Sequence, residues 1–111
     1  MDIVIELIEE RERRKRFFED YLKYVREIKK IAEELLGDVE VYVFGSVISG
    51  DYHPVLSDID VAVVVKEKDK EKHLEFKVRV DKMVGDVFEI HVLDEKEWKF
   101  YKGFIDEFVV V

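Results

Sequence analysis

Val41-Tyr-Val-Phe-Gly45-Ser46-Val-Ile-Ser-Gly50-Asp51-Tyr-His-Pro54-Val-Leu-Ser57-Asp58-Ile-Asp60-Val-Ala-Val-Val-Val65 is the stretch that decides the fold. An apolar run from Val39 to Phe44 ends in a turn of small residues, Gly45-Ser46. After a short loop, a second apolar run spans Ile59 to Val65 and carries two acids spaced by one residue at its start. Val and Ile favour strands. Their presence on both faces of the second run marks a central strand covered on both sides.

Asp58 and Asp60 stand at i and i+2 of that strand, so both side chains leave the same face. Two carboxylates this close repel each other unless a cation lies between them, and hard oxygen donors suit Mg2+. A two-metal site needs a third acid from a neighbouring strand. Glu89 is the best candidate, mid-strand in Val87-Phe-Glu-Ile-His-Val92, where a charge has no packing reason to be. His91 shares its face and can orient a carboxylate. Acids at such positions are often merely solvated, but Ile59 and Val61 to Val65 imply a buried sheet, where an unpaired acid is costly. At the turn, Gly45 lets the backbone approach a ligand closely. Ser46 offers a hydroxyl, and the N–H groups of the following helical turn can face phosphate oxygens. A lone Gly-Ser is more often an ordinary strand-to-helix turn; the strand before it and the acid pair after it supply the specificity.

Working outward, apolar residues from Leu7 to Leu36 recur every three or four positions and predict one long helix, with a break near its β-branched start. Gly37 follows as a left-handed C-terminal residue would. Lys66 to Lys72 reads as a solvated turn opening a helix. Leu74, Val78 and Met83 with Phe76 and Val80 fit that helix, although the alternation from Leu74 to Val80 also permits a strand. Asp86 to Leu93 is a third strand. Asp94 and Glu97 then form a capping-box signature, followed by Trp98, Tyr101, Ile105 and Phe108 at helical spacing with Gly103 as a weak point. The apolar end, Phe108 to Val111, either packs back on the core or forms an interface. The expected order is helix, strand, strand, helix, strand, helix: a small α/β (α+β) layer structure with three short strands.

With 111 residues and 48% apolar content, the chain is read as one domain, residues 1–111, with a single core. A net charge of −8 argues against direct binding to duplex nucleic acid, where affinity comes from cationic contacts to phosphate. The basic run Arg11, Arg13, Arg14, Lys15, Arg16 points all round a helix and interleaves with Glu9, Glu10, Glu12 and Glu19, so it reads as a solvated face. Absence of Cys excludes thiol chemistry and thiolate metal sites. No apolar stretch is long enough to span a membrane. The acidic start of the chain does not fit a signal peptide, so the expected location is cytoplasmic. The chain has no Asn, Gln or Thr and is rich in Glu, Lys and Arg, the direction seen in hyperthermophile proteins.

Phe44-Gly-Ser46, Gly50-Asp-Tyr52 and Ser57-Asp-Ile-Asp60 together resemble the signature of the minimal nucleotidyltransferases of the DNA polymerase β superfamily. Asp86 to Ile105 also resembles the tail of small archaeal members. The resemblance implies a nucleotidyltransferase-like fold with a short mixed sheet carrying the carboxylates. It also implies transfer of a nucleoside monophosphate from an NTP, with ATP the expected donor, to an acceptor hydroxyl with release of pyrophosphate. Gly45 and Ser46 match the triphosphate contacts, Asp58 and Asp60 the two metal-bridging acids, and Glu89 the third carboxylate. Two Mg2+ ions are implied as cofactors, one lowering the pKa of the acceptor hydroxyl and one stabilising the leaving pyrophosphate. No protein general base is then required, which suits a chain whose only histidines are His53, His73 and His91. Two departures stand out: the loop between Ser46 and Asp58 is one residue longer than in the commonest form, so it must bulge around Pro54-Val55-Leu56. The third acid is Glu where Asp is more usual. Small stand-alone members resemble antitoxins paired with an all-helical HEPN-type partner, whose tyrosine would be the acceptor. A catalytically weak binding module acting by protein–protein pairing is the alternative, and a homodimer is left open.

Overall fold

The computed structural model describes residues 2–111; Met1 lies outside the described residues. Two helices lead, α1 (Ile3–Glu19) and α2 (Tyr21–Leu36), followed by β1 (Val39–Phe44) and a single turn, α3 (Ser46–Ser49). Then come β2 (Ile59–Val65), α4 (Lys70–Val84), β3 (Phe88–Asp94), α5 (Glu95–Lys102) and β4 (Phe108–Val110). The four strands form one mixed sheet in the order β3-β2-β1-β4. β2 and β3 run parallel, joined by α4 as a crossover, while β1 is antiparallel to both β2 and β4.

The sheet is covered unequally. Odd-numbered residues of β1 and β2, including Val41, Val43, Ile59, Val61, Val63 and Val65, join Phe88, Ile90 and Val92 on one face. They pack against Val25, Ile28 and Ala32 of α2, Phe76, Val80 and Val84 of α4, and Phe17 and Phe18 of α1. The opposite face is smaller: Phe44, Ala62, Val64 and Leu93 pack against Trp98 of α5, with Tyr42, Tyr101 and Ile105 alongside. β2 is therefore apolar on both faces because it is central, as its composition requires. Its one charge is Asp60, near the start of the strand on the smaller face.

Local hydrogen bonds fix the ends of these elements, and the capping box forms as read. Asp94 accepts from the Glu97 backbone N–H while the Glu97 side chain reaches back to the Asp94 N–H, the expected capping box. Asp69 caps α4 by accepting from the N–H groups of Glu71 and Lys72. The loop after Gly50 is knitted by Leu56 and Ser57 N–H donating to the His53 carbonyl, and by His53 N–H donating to Ser57 Oγ.

Other readings are corrected. The single long N-terminal helix is two, because Asp20 leaves helical geometry at φ −113° and ψ 28°. Asp is a poor helix-interior residue, and the apolar spacing runs across the break without registering it. Gly37 has a positive φ of 83°, but its ψ of −141° is not that of a left-handed cap. In α4, Phe76, Val80 and Val84 are buried, while Leu74, Val78 and Met83 are exposed. Ile105 and Phe108 do not continue α5, which ends at Lys102. Phe108–Val110 forms a fourth strand on the open edge of β1, pairing with Phe44, Val43 and Tyr42. That pairing satisfies backbone groups a bare edge would leave open, a long-range gain that helical spacing does not report.

Candidate active site

The chemistry gathers where β1 ends and β2 begins. Because these strands are antiparallel, the turn after Phe44 lies against the start of β2, and Asp60 is cross-strand partner of Phe44. On its other side Asp60 is in register with Glu89 of the parallel β3. Register alone thus sets two carboxylates side by side on the face opposite the main core.

His91, two residues beyond Glu89, completes the group. One ligand atom from each of Asp60, Glu89 and His91 can be chosen so that all lie within 4.8 Å of one another. His91 Nε2 is 3.4 Å from Asp60 Oδ1 and 3.9 Å from Glu89 Oε1. The imidazole sits between the rings of Phe44 and Tyr101, with centroids 5.5 and 5.8 Å away. Asp60 and His91 are largely shielded, whereas Glu89 opens to solvent, so the group is a shallow site reachable from outside.

Gly45 forms the wall facing Asp60. Its φ of 84° and ψ of −157° belong to a region essentially restricted to glycine. A Cβ built there would stand 2.3 Å from Asp60 Oδ2 and 3.3 Å from its Cγ. The Asp60 carboxylate occupies the space that a side chain would take. Ser46 opens α3, whose turn is closed by Gly50 N–H donating to the Ser46 carbonyl at 2.9 Å.

Asp58 is placed differently from its sequence reading. It precedes β2, which begins at Ile59, and its exposed carboxylate lies 3.4 Å from the Arg14 guanidinium. The structure therefore brings Asp60 and Glu89 together, adds His91, sets Gly45 against Asp60, and leaves Asp58 at the margin. Arg14 itself is the residue that sequence reading missed. Far from lying on a solvated face, it is 8% exposed and donates through Nε to the Pro54 carbonyl at 2.8 Å and through Nη2 to the Ser57 carbonyl at 2.7 Å. The usable signal was its spacing from Phe17 and Phe18, i+3 and i+4 along the same helix face, hidden inside a run of eight charges from Glu9 to Arg16.

Two carboxylates and a bordering third acid fit a hard divalent ion. Such an ion takes oxygen donors at about 2.1 Å, so its coordination sphere spans about 4.2 Å, close to the spacing of the donors here. An ion between Asp60 and Glu89 would also relieve the repulsion of two carboxylates in direct register.

Residues 25–111 match the family described as the nucleotidyltransferase domain. The chain belongs to that family. One similar solved structure, described as that of a presumed nucleotidyltransferase, is 42% identical with a TM-score of 0.65; the match covers 78% of this chain and 96% of the other. A second, a presumed nucleotidyltransferase from Sulfolobus solfataricus, is 29% identical with a TM-score of 0.56, covering 89% of this chain and 82% of that one. No curated protein matches the chain. Family and fold agree: this is a nucleotidyltransferase domain with a four-stranded mixed sheet and an acidic group at one end of its central strands. Among the described residues, no helix is long and apolar enough to cross a membrane.

Proposed function

We propose that the chain transfers a nucleoside monophosphate, AMP from ATP in the first instance, to an acceptor hydroxyl with release of pyrophosphate. The observation that carries this reading is the lateral register of Asp60 with Glu89, beneath a glycine turn that only a side-chain-free residue permits. Asp60 and Glu89 would hold the divalent ion, and Asp58 would join them on leaving Arg14. Magnesium, when bound, neutralises triphosphate charge and favours the deprotonated acceptor hydroxyl. The Gly45-Ser46 turn receives the triphosphate, Gly45 by close backbone approach and Ser46 through its hydroxyl. His91, wedged between Phe44 and Tyr101, holds the Asp60 carboxylate in place. The acceptor is a protein hydroxyl, such as a tyrosine of a helical HEPN-type partner, in keeping with the acidity of the chain.

The test is label transfer from α-labelled ATP with magnesium, using wild type and Asp60→Asn against candidate protein acceptors. Label transfer and pyrophosphate release that vanish in Asp60→Asn support the reading; neither product from wild type with any of the four NTPs sinks it. One observation favours a second reading, a pairing module without turnover. Asp58 is turned toward Arg14 and does not join Asp60 and Glu89. On that reading, partner binding survives Asp58→Ala with Asp60→Ala.

A further inference from the structure

Arg14 lies ahead of the residues that match the family. The family match begins at Val25, so α1 precedes it. Most of the N-terminal half of α1 is solvent-exposed, Ile3, Val4, Leu7 and Ile8 included, so the helix contributes little to the core before Phe17. Where it does reach the domain, it places a buried guanidinium against the two chain segments that lead into the acid-bearing strands. Nε and Nη2 donate to the carbonyls of Pro54 and Ser57, in the loop before β2. Nη1 lies 3.6 Å from Asp86 Oδ1, just ahead of β3. Nη2 also lies 3.4 Å from Asp58 Oδ1.

These contacts are unequal, and the inequality has a consequence. The two carbonyl bonds are short and made by a planar fork that a lysine cannot reproduce, because its ammonium is a point charge on a flexible stem. The Asp58 contact is long and its carboxylate is half exposed, so it can leave without freeing the loop. We infer that Arg14 is a positioning residue. It anchors the loop 54–58 from the helix that precedes the family-matched residues, and so keeps Asp58 at the margin of the Asp60–Glu89 pair, ready to exchange the guanidinium for a divalent ion. This rests on the metal-dependent reading of the site given above.

Burial of a guanidinium without partners is costly, which is why one that bonds two loop carbonyls is informative. A merely structural arginine would stabilise the whole domain evenly. A positioning one acts on the loop and on the ion through Asp58.

The experiment uses the full chain and two readouts. Amide hydrogen exchange is measured for wild type and Arg14→Lys, which keeps the charge and loses the fork. The Leu56 and Ser57 amides, protected in wild type by their bonds to the His53 carbonyl, are expected to lose protection while β1 and β2 keep theirs. Unchanged protection of that loop, or an equal loss across the sheet, overturns the inference whether or not the site binds metal. Mn2+ affinity is then measured for wild type, Arg14→Lys, Asp58→Asn and the double variant. Loss of an outer partner of a ligand costs about 10- to 100-fold in metal affinity. That loss is expected for Arg14→Lys in the wild-type background and should largely disappear in the Asp58→Asn background. Equal losses in both backgrounds overturn the inference, while absence of Mn2+ binding by wild type instead overturns the metal-dependent reading. If Arg14→Lys does not fold, the wild-type Arg14 Nε–H signal decides. It should stay protected when Mg2+ shifts the Asp58 carboxylate resonance; exchange of Nε–H on Mg2+ addition, or an unmoved Asp58 resonance in a protein that binds the ion, counts against the inference.

Discussion

Replacing Gly45 with Ala probes the site with a single methyl group. Two effects are separable. The backbone at φ 84° and ψ −157° is denied to L-residues, a strain of about 1–3 kcal/mol. The new Cβ would also stand 2.3 Å from Asp60 Oδ2, far inside contact distance, so the carboxylate must move. Gly50→Ala is the control, since Gly50 has a positive φ of 80° but nothing within 4 Å of its would-be Cβ. Left-handed strain alone costs about 1–2 kcal/mol there. For a domain near this size each kcal/mol lowers the melting temperature by about 4–8 °C. Both variants should therefore melt lower in calorimetry, but only Gly45→Ala should weaken Mg2+ binding, by about tenfold or more if displacing a ligand matches the loss of an outer partner. A cycle with Asp60→Ala isolates the clash. Removing the carboxylate should leave Gly45→Ala with its backbone strain alone and a correspondingly smaller destabilisation. Gly45→Ala with unaltered stability and unaltered Mg2+ titration would refute the placement of Gly45 over Asp60.

Other expectations follow from the same coordinates. Asp60→Asn and Glu89→Gln should each lower transfer activity by about 100-fold or more while circular dichroism stays native, since each removes a charge from the ion site; full activity in either variant rules out that acid. His73 is held below its ordinary pKa of 6.5 by burial, with Lys77 and Lys68 adding repulsion. The fold favours the neutral ring, so its contribution to stability is present above pH 6.5 and is lost as pH falls through the depressed folded value. His73→Gln should flatten that acid slope in denaturant titrations, and an unchanged slope contradicts the assignment. The Tyr42 hydroxyl donates to the Glu40 carboxylate, and this bond, ahead of burial, raises the phenol above 10.0. The protonated phenol is favoured by the fold, so its contribution holds below that pH and is lost as pH rises through the folded value. Glu40→Gln should bring the ultraviolet phenolate transition of Tyr42 back down; no movement would exclude the bond.

Much of this molecule is legible along the chain because its signals are local. The Val-rich runs, the Asp94–Glu97 capping box and the turn at Gly45 each depend on neighbours a few residues away, and each forms where the residues say. Glu89 stood out because a charge inside an apolar strand needs a reason. Asp20 interrupts an apolar stripe that continues on both sides of it, so spacing alone joined two helices. Phe108–Val110 became a strand only because β1 has a free edge, a fact about the far side of the sheet.

The chain by itself determined the family, the sheet's central strands and the acids that face away from the main core, because periodicity and composition act over short distances. Only the tertiary structure decided which acids meet. Register set Asp60 against Glu89 and added His91, while the packing of α1 drew Arg14 out of a charged run to hold the loop and the carboxylate of Asp58. Those outcomes depend on residues far apart in the chain, 31 positions for Asp60 and His91 and 40 for Arg14 and Pro54, and no local pattern encodes such a meeting.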